Sequence, residues 1–271
     1  MNSIKSKSYK YLVDSDAIPY QVYFNVHPQK VAAVFVLGSG QVAKLPKMVA
    51  SHLKVNSAVI QGLPHWHALE DGSNLMQFTL GFADESIGVI ARSAMSKITL
   101  VAESQAAPGA VAFTRNNPSI IKRLILIQPL GLNRQAFANS KQPIMSEFRS
   151  RVQQNSKHQI GSIFNDWKLF YNHYTLLRRQ LGSDFRRMFD THYEIGLNSD
   201  ITYGLREVIK VVPVHLVIGE KDEIFKPAEI TSTLKRENIA LTSTHIVTGV
   251  PHSPLVSRAG RKLIKEVEKL C

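Results

Sequence analysis

Short runs of apolar and β-branched residues alternate along this chain with longer stretches whose apolar residues recur at helical spacing. Val31-Ala-Ala-Val-Phe-Val-Leu37, Ser57–Leu63, Ile98–Val101, Ile120–Ile127, Val211–Gly219 and Thr242–Val247 read as strands, and the continuous runs as strands covered on both faces. Between them, Gln41–Lys54 carries Val42, Leu45, Val49 and Leu53 on one stripe, and Leu75–Ala94 supports a helix. Gln105 to Asn116 is rich in alanine, and Ser257–Leu270 turns Leu263, Ile264, Val267 and Leu270 inward. Tyr9–Val13 and Tyr20–Val26, joined across Asp14–Pro19, predict a hairpin on a sheet edge. Strands alternating with helices predict an α/β core.

The pattern changes between residues 133 and 203, which are helical, polar and basic, with Phe164, Trp167, Phe170, Tyr171 and Tyr174 crowded into one segment. Helices inserted between strands of an α/β core usually cover the end of the sheet where ligands bind. The expected division is a core of residues 1–132 and 204–271 and a helical cap over 133–203, with Phe164 and Trp167 as candidate pocket residues. The aromatic cluster reads either as the cap's own packing or as a wall of the substrate site, and in the second case it points to a substrate with an apolar portion.

Composition narrows the function classes. The 271 residues are 44% hydrophobic, and no apolar run approaches the roughly 20 residues of a membrane span, so no stable membrane insertion is expected. Met1–Lys7 is basic but leads into Tyr9-Lys-Tyr-Leu-Val-Asp14 with no apolar core or small-residue cleavage site, so no secretory signal is expected. The single cysteine, Cys271, allows no internal disulfide and fits a reducing, cytoplasmic setting. The net charge of +12 is spread over scattered lysines and arginines without a block of five or an aromatic-basic signature. It reads as a solvated basic surface, and no nucleic-acid partner is expected. No residue pattern assigns an oligomeric state.

Candidate chemistry lies where strands end. Ser104 follows Ile98–Val101 and precedes the alanine-rich helix, with small residues at Ala102 and Ala106, as a sharp strand-to-helix turn requires. Such a turn lifts the hydroxyl off the sheet edge and aims the first helical N–H groups at the same point; the alternative is a serine capping a helix. Gly38-Ser39-Gly40 ends another buried strand and lets the backbone approach a ligand closely. His65 and His67 in Pro64-His65-Trp66-His67 have no third ligand at zinc-like spacing, so His65 and Trp66 read as a loop at the site mouth rather than a metal site. Asp222 stands in the turn after Val211–Gly219, where it can orient a histidine or favour the dipole of the helix opened by Pro227; Glu220 and Glu223 are competing acids. His252, in Gly249-Val250-Pro251-His252-Ser253-Pro254, follows the last strand, whereas His215 and His245 lie inside strands as core or surface residues.

The order Ser104, Asp222, His252, each after a separate strand, resembles the α/β-hydrolase fold. Gly219 to Pro227 looks like its acid turn and Gly249 to Pro254 like its histidine loop. Leu37 stands where the family often has histidine, and Ala102 and Ala106 where it has glycines. The resemblance implies a mostly parallel central sheet flanked by helices with a helical cap insertion, and a Ser104–His252–Asp222 triad whose oxyanion hole is the backbone N–H of Ser39 and Gln105. It implies a serine hydrolase that cleaves an ester or thioester of a small-molecule substrate through an acyl-serine intermediate, without metal or organic cofactor. The same fold also serves carbon–carbon bond hydrolysis, acyl transfer and lyase chemistry, or a non-catalytic binding protein.

Overall fold

The computed structural model describes residues 4–13, 16–38, 44–61, 75–132, 193, 195–252, 255 and 259–271. The chain divides into two compact units, residues 1–133 with 199–271, and residues 134–198. Of the second unit only residues 193 and 195–198 are described, so Phe164 and Trp167 lie outside the described residues.

The first unit is an eight-stranded sheet flanked by helices. Its elements are β1 (Lys5–Val13), β2 (Asp16–Phe24), β3 (Ala33–Val36), α1 (Lys44–His52), β4 (Ser57–Ile60), α2 (Leu75–Ser93), β5 (Ile98–Glu103), α3 (Ala107–Asn116), β6 (Ile121–Ile127), α4 (Thr202–Val208), β7 (Val214–Lys221), α5 (Pro227–Arg236), β8 (Ser243–Pro251) and α6 (Gly260–Leu270). The strand order is β1-β2-β4-β3-β5-β6-β7-β8. β2 is antiparallel to β1 and β4, and the remaining pairs are parallel. Every residue of β3, β4 and β5 is buried, the polar Ser57, Thr99 and Glu103 included, as strands covered by helices on both faces require. One core cluster joins Val49 of α1, Leu53 just after it, and Leu263, Ile264 and Val267 of α6 to Phe35, Val101, Ile125 and Val217 of the sheet. Elsewhere α2 packs on α3 and α3 on α4. Phe82 of α2 meets Tyr11 and Tyr20 of the hairpin edge to face, at centroid distances of 5.7 and 5.1 Å. No helix among the described residues is long and apolar enough to cross a membrane.

This order places the site. From β3 the chain crosses to β4 on one side and then to β5 on the other, so the loops after β3 and β5 diverge at the carboxyl edge of the sheet. Ligands of open α/β sheets bind at such switch points. Ser104, Gln128, Asp222 and His252 each come directly after β5, β6, β7 and β8, four neighbouring strands running the same way.

Among the boundaries that differ from the sequence reading, three have a clear local reason. β2 starts at Asp16 and contains Pro19. β4 pairs only Val22–Phe24, so the proline lies where β2 has one paired edge and a missing donor is tolerated. β7 and β8 run on to Lys221 and Pro251 instead of stopping at Gly219 and Val247. Their pairing steps from Gly219↔Val247 to Lys221↔Pro251, and Gly249 takes φ +70° within the extra residues on β8. This bulge interrupts the alternation that sequence reading relies on.

Gly219 is needed here for its missing side chain, because a Cβ would collide with the Val250 carbonyl. We expect Gly219→Ala to cost about 1–3 kcal/mol, the usual range for overpacking, measured by urea unfolding. Because the clash displaces the segment that leads into His252, activity should fall with stability.

Candidate functional site

Ser104 has φ +52°, in the left-handed region that a non-glycine residue rarely occupies. Ser104 is not the cap of α3, a position held by Ala106. Its carbonyl accepts the N–H of Ala107 and that of Leu130, the latter at 3.1 Å, which fixes the turn from both sides. A Cβ on Gly38 would meet Ser104 Cβ at 3.2 Å, the Glu103 carbonyl at 3.3 Å and Gln105 N at 3.8 Å. The loop after β3 therefore rests directly on the serine and on the first N–H of the turn behind it. Glu103, 5% exposed, accepts the Gly38 N–H at 3.1 Å and ties that loop to β5. Ser39, Gly40, His65 and Trp66 lie outside the described residues.

Asp222 is the acid that meets the histidine. Its Oδ1 accepts the N–H groups of Ile224 at 2.9 Å and Phe225 at 2.8 Å, and its Oδ2 accepts His252 Nδ1 at 2.9 Å and Gln128 Nε2 at 2.7 Å. Four donors on two oxygens suit an ionised, acceptor-only carboxylate, so Nδ1 of His252 carries a proton, and in the neutral imidazole this leaves the lone pair on Nε2. Asp222 is 1% exposed, while the His252 side chain is 18% exposed and packs edge to face on Phe225 at 4.9 Å. The competing acids are exposed, and Glu220 accepts the N–H of Gly249 at 2.8 Å. Among the described residues no hydrogen bond joins the Ser104 hydroxyl to His252. A small cavity lies beside the turn, lined by Val36, Leu37, Thr79, Phe82, Ala83, Gln105 and Ala106.

Gln128 was not found from sequence. A lone polar residue after a buried strand is its only local signal, and its partners are 94 and 123 positions away.

A second serine–histidine–carboxylate line lies at the opposite edge of the sheet. His215 Nδ1 meets Ser243 Oγ at 2.8 Å, Ser243 Oγ meets His245 Nε2 at 2.7 Å, and His245 Nδ1 meets Glu266 of α6 at 2.9 Å. Ser243 stands within an extended strand, not on a turn into a helix, so it lacks the arrangement that aims N–H groups at one point. The line ties α6 to β8. The hydrogen bond from Lys269 holds the Glu266 carboxyl below its usual range. Burial, then the charges of Arg123 and His245, holds His215 below its usual value of 6.5. An imidazole less basic folded than unfolded contributes stability above the unfolded value and loses it as pH falls through the histidine range. Urea unfolding should therefore show stability dropping from about pH 7.5 to about pH 5.5, with a shallower drop in His215→Gln.

No protein-family model and no curated protein sequence matches the chain. Solved structures do. A membrane phospholipase A described as a bacterial virulence factor superposes with a TM-score of 0.61 at 15% identity, covering 98% of this chain and 87% of its own. The thioesterase domain of the curacin biosynthetic pathway gives 0.58 at 15% identity over 98% and 99% of the two chains. A thermophilic esterase from Thermogutta terrifontis gives 0.56 at 15% identity over 97% and 98%. With this strand order, and with matches that span nearly the whole chain, the protein has the α/β-hydrolase fold.

Proposed function

We propose that the protein is a serine hydrolase that cleaves a carboxylic ester or thioester with an apolar acyl portion. The observation that carries the reading is the buried Asp222–His252 pair on the same sheet edge as a serine in left-handed conformation. In this reading His252 Nε2 takes the Ser104 proton as the oxygen attacks the acyl carbon, and then returns it to the leaving alcohol or thiol. Water, deprotonated by the same nitrogen, releases the acid and frees the serine. Asp222 holds the tautomer and stabilises the imidazolium. The Gln105 N–H, with that of Ser39, takes the oxyanion, and Gly38 against Ser104 supports this role for the loop.

The neighbours named phospholipase, thioesterase and esterase support ester or thioester cleavage. The apolar acyl portion rests on residues 133–203, proposed as a helical cap with Phe164 and Trp167 among its apolar side chains, and on the largely apolar cavity beside Gln105.

A serine-reactive fluorophosphonate tests the assignment. Peptide mass spectrometry should find the label on Ser104 in the wild type and none there in His252→Ala. No label on the folded wild type would favour a binding protein, and a label on Ser243 alone would move the nucleophile to the other edge. A panel of p-nitrophenyl esters and acyl thioesters then reads acyl length.

A further inference from the structure

Gln128 combines two locally unfavourable features. Its φ of +46° is left-handed, and its Oε1 is buried without a hydrogen-bond partner among the described residues, in a side chain 1% exposed. Each is the kind of feature that costs about 1–3 kcal/mol and persists where the surroundings enforce it. The other half of the same amide is fully used. Nε2 donates to Asp222 Oδ2 at 2.7 Å, the oxygen that also holds His252, and to the carbonyl of Pro251, the residue before His252, at 3.2 Å. The opposite amide orientation would set Oε1 against a carboxylate and a carbonyl, so the orphan oxygen follows from serving both acceptors.

The backbone around Gln128 is tied as firmly. Its N–H donates to Val217 of β7 at 2.9 Å, and the N–H of Leu130, two residues on, donates to the Ser104 carbonyl at 3.1 Å. The segment 128–130 thus joins the ends of β5, β7 and β8, the three strands that bear serine, acid and histidine.

We propose that Gln128 is a positioning residue: it fixes the rotation of the Asp222 carboxylate and the approach of the His252 loop, so that one lone pair of Oδ2 faces the imidazole. This rests on the hydrolase reading and deepens it. With the donor gone, Asp222 Oδ2 loses one hydrogen bond and the Pro251 carbonyl loses its anchor, so the imidazole spends less time aimed at Ser104.

Two substitutions and one spectrum test this. Gln128→Met keeps length and removes the donor; kcat on a p-nitrophenyl ester should fall about 10–100-fold with KM within about twofold and only a small loss of thermal stability, since removal of the orphan oxygen offsets part of the two hydrogen bonds lost. Gln128→Glu should depend on pH. At low pH the introduced carboxyl is protonated and donates to Asp222; at high pH it is ionised and repels it. The ratio of its kcat/KM to that of the wild type should drop at least ~10-fold between about pH 5.5 and about pH 8.5. A structural role alone gives a constant ratio.

The downfield proton signal of His252 Nδ1–H should shift or broaden in Gln128→Met. This arm needs no substrate. If the wild type cleaves no ester, the hydrolase reading fails and the spectrum alone decides the positioning role. An unchanged signal, or kcat of Gln128→Met equal to wild type, overturns the proposal, as does a fall in kcat matched by a fall in thermal stability with a constant pH ratio in Gln128→Glu.

Discussion

Under the proposed serine-hydrolase mechanism, Ser104→Ala should lower kcat on a short p-nitrophenyl ester by at least ~10³-fold, because the members of such a triad act as a unit and loss of the proposed nucleophile leaves only binding and oxyanion stabilisation. KM should stay within a few-fold, since the hydroxyl contributes to bond making and not to the acyl pocket. Ser243→Ala is the control, a serine whose hydroxyl lies 2.7 Å from His245 Nε2 but which stands on no strand-to-helix turn, and its kcat should equal that of the wild type. Ser104→Gly separates chemistry from folding. Glycine accepts φ +52° freely, so relief of a strain of about 1–3 kcal/mol should raise the melting temperature while activity stays lost. A kcat for Ser104→Ala within tenfold of the wild type would end the serine-hydrolase reading.

The buried part of the fold is legible because its strands are apolar on both faces. Ile121–Ile127 and Ile98–Glu103 need no partner to be recognised, and Ala102 and Ala106, both buried, announce the tight turn around Ser104. The ends of β7 and β8 are not legible. There the pairing shifts at a bulge, and a glycine at φ +70° looks like a loop. Three acids in Glu220–Glu223 are equivalent in one dimension. They become distinct only when backbone N–H groups of Ile224 and Phe225 close on one of them and bury it, while Glu220 turns outward to Gly249. Gln128 is least legible of all. Its meaning depends on two acceptors brought by strands far along the chain, and no local periodicity encodes which polar side chain after a strand will meet them.

Asp222→Asn should reduce kcat by about 10³–10⁴-fold with little change in stability, through the tautomer of His252 and not through lost volume. The new amide has one acceptor and one donor for a site with four donors. Keeping its oxygen on the N–H groups of Ile224 and Phe225 preserves the turn that shapes the acid loop. The opposite orientation leaves both buried N–H groups unpaired, at about 1–3 kcal/mol each, so the first arrangement wins. The NH2 then faces His252 Nδ1 and Gln128 Nε2. Two donors cannot share that contact, so the imidazole proton moves to Nε2, and the nitrogen that should take the Ser104 proton already carries one. Gln128 can rotate its amide and accept the new N–H with the oxygen that has no partner among the described residues, which offsets the lost Pro251 contact and keeps the fold intact. Nitrogen-15 chemical shifts of the His252 ring should show the proton exchanged between Nδ1 and Nε2, with urea unfolding near that of the wild type. A variant that keeps Nδ1–H and retains more than about a tenth of wild-type kcat would show that Asp222 does not set the state of His252, and the proposed relay would lose its acid.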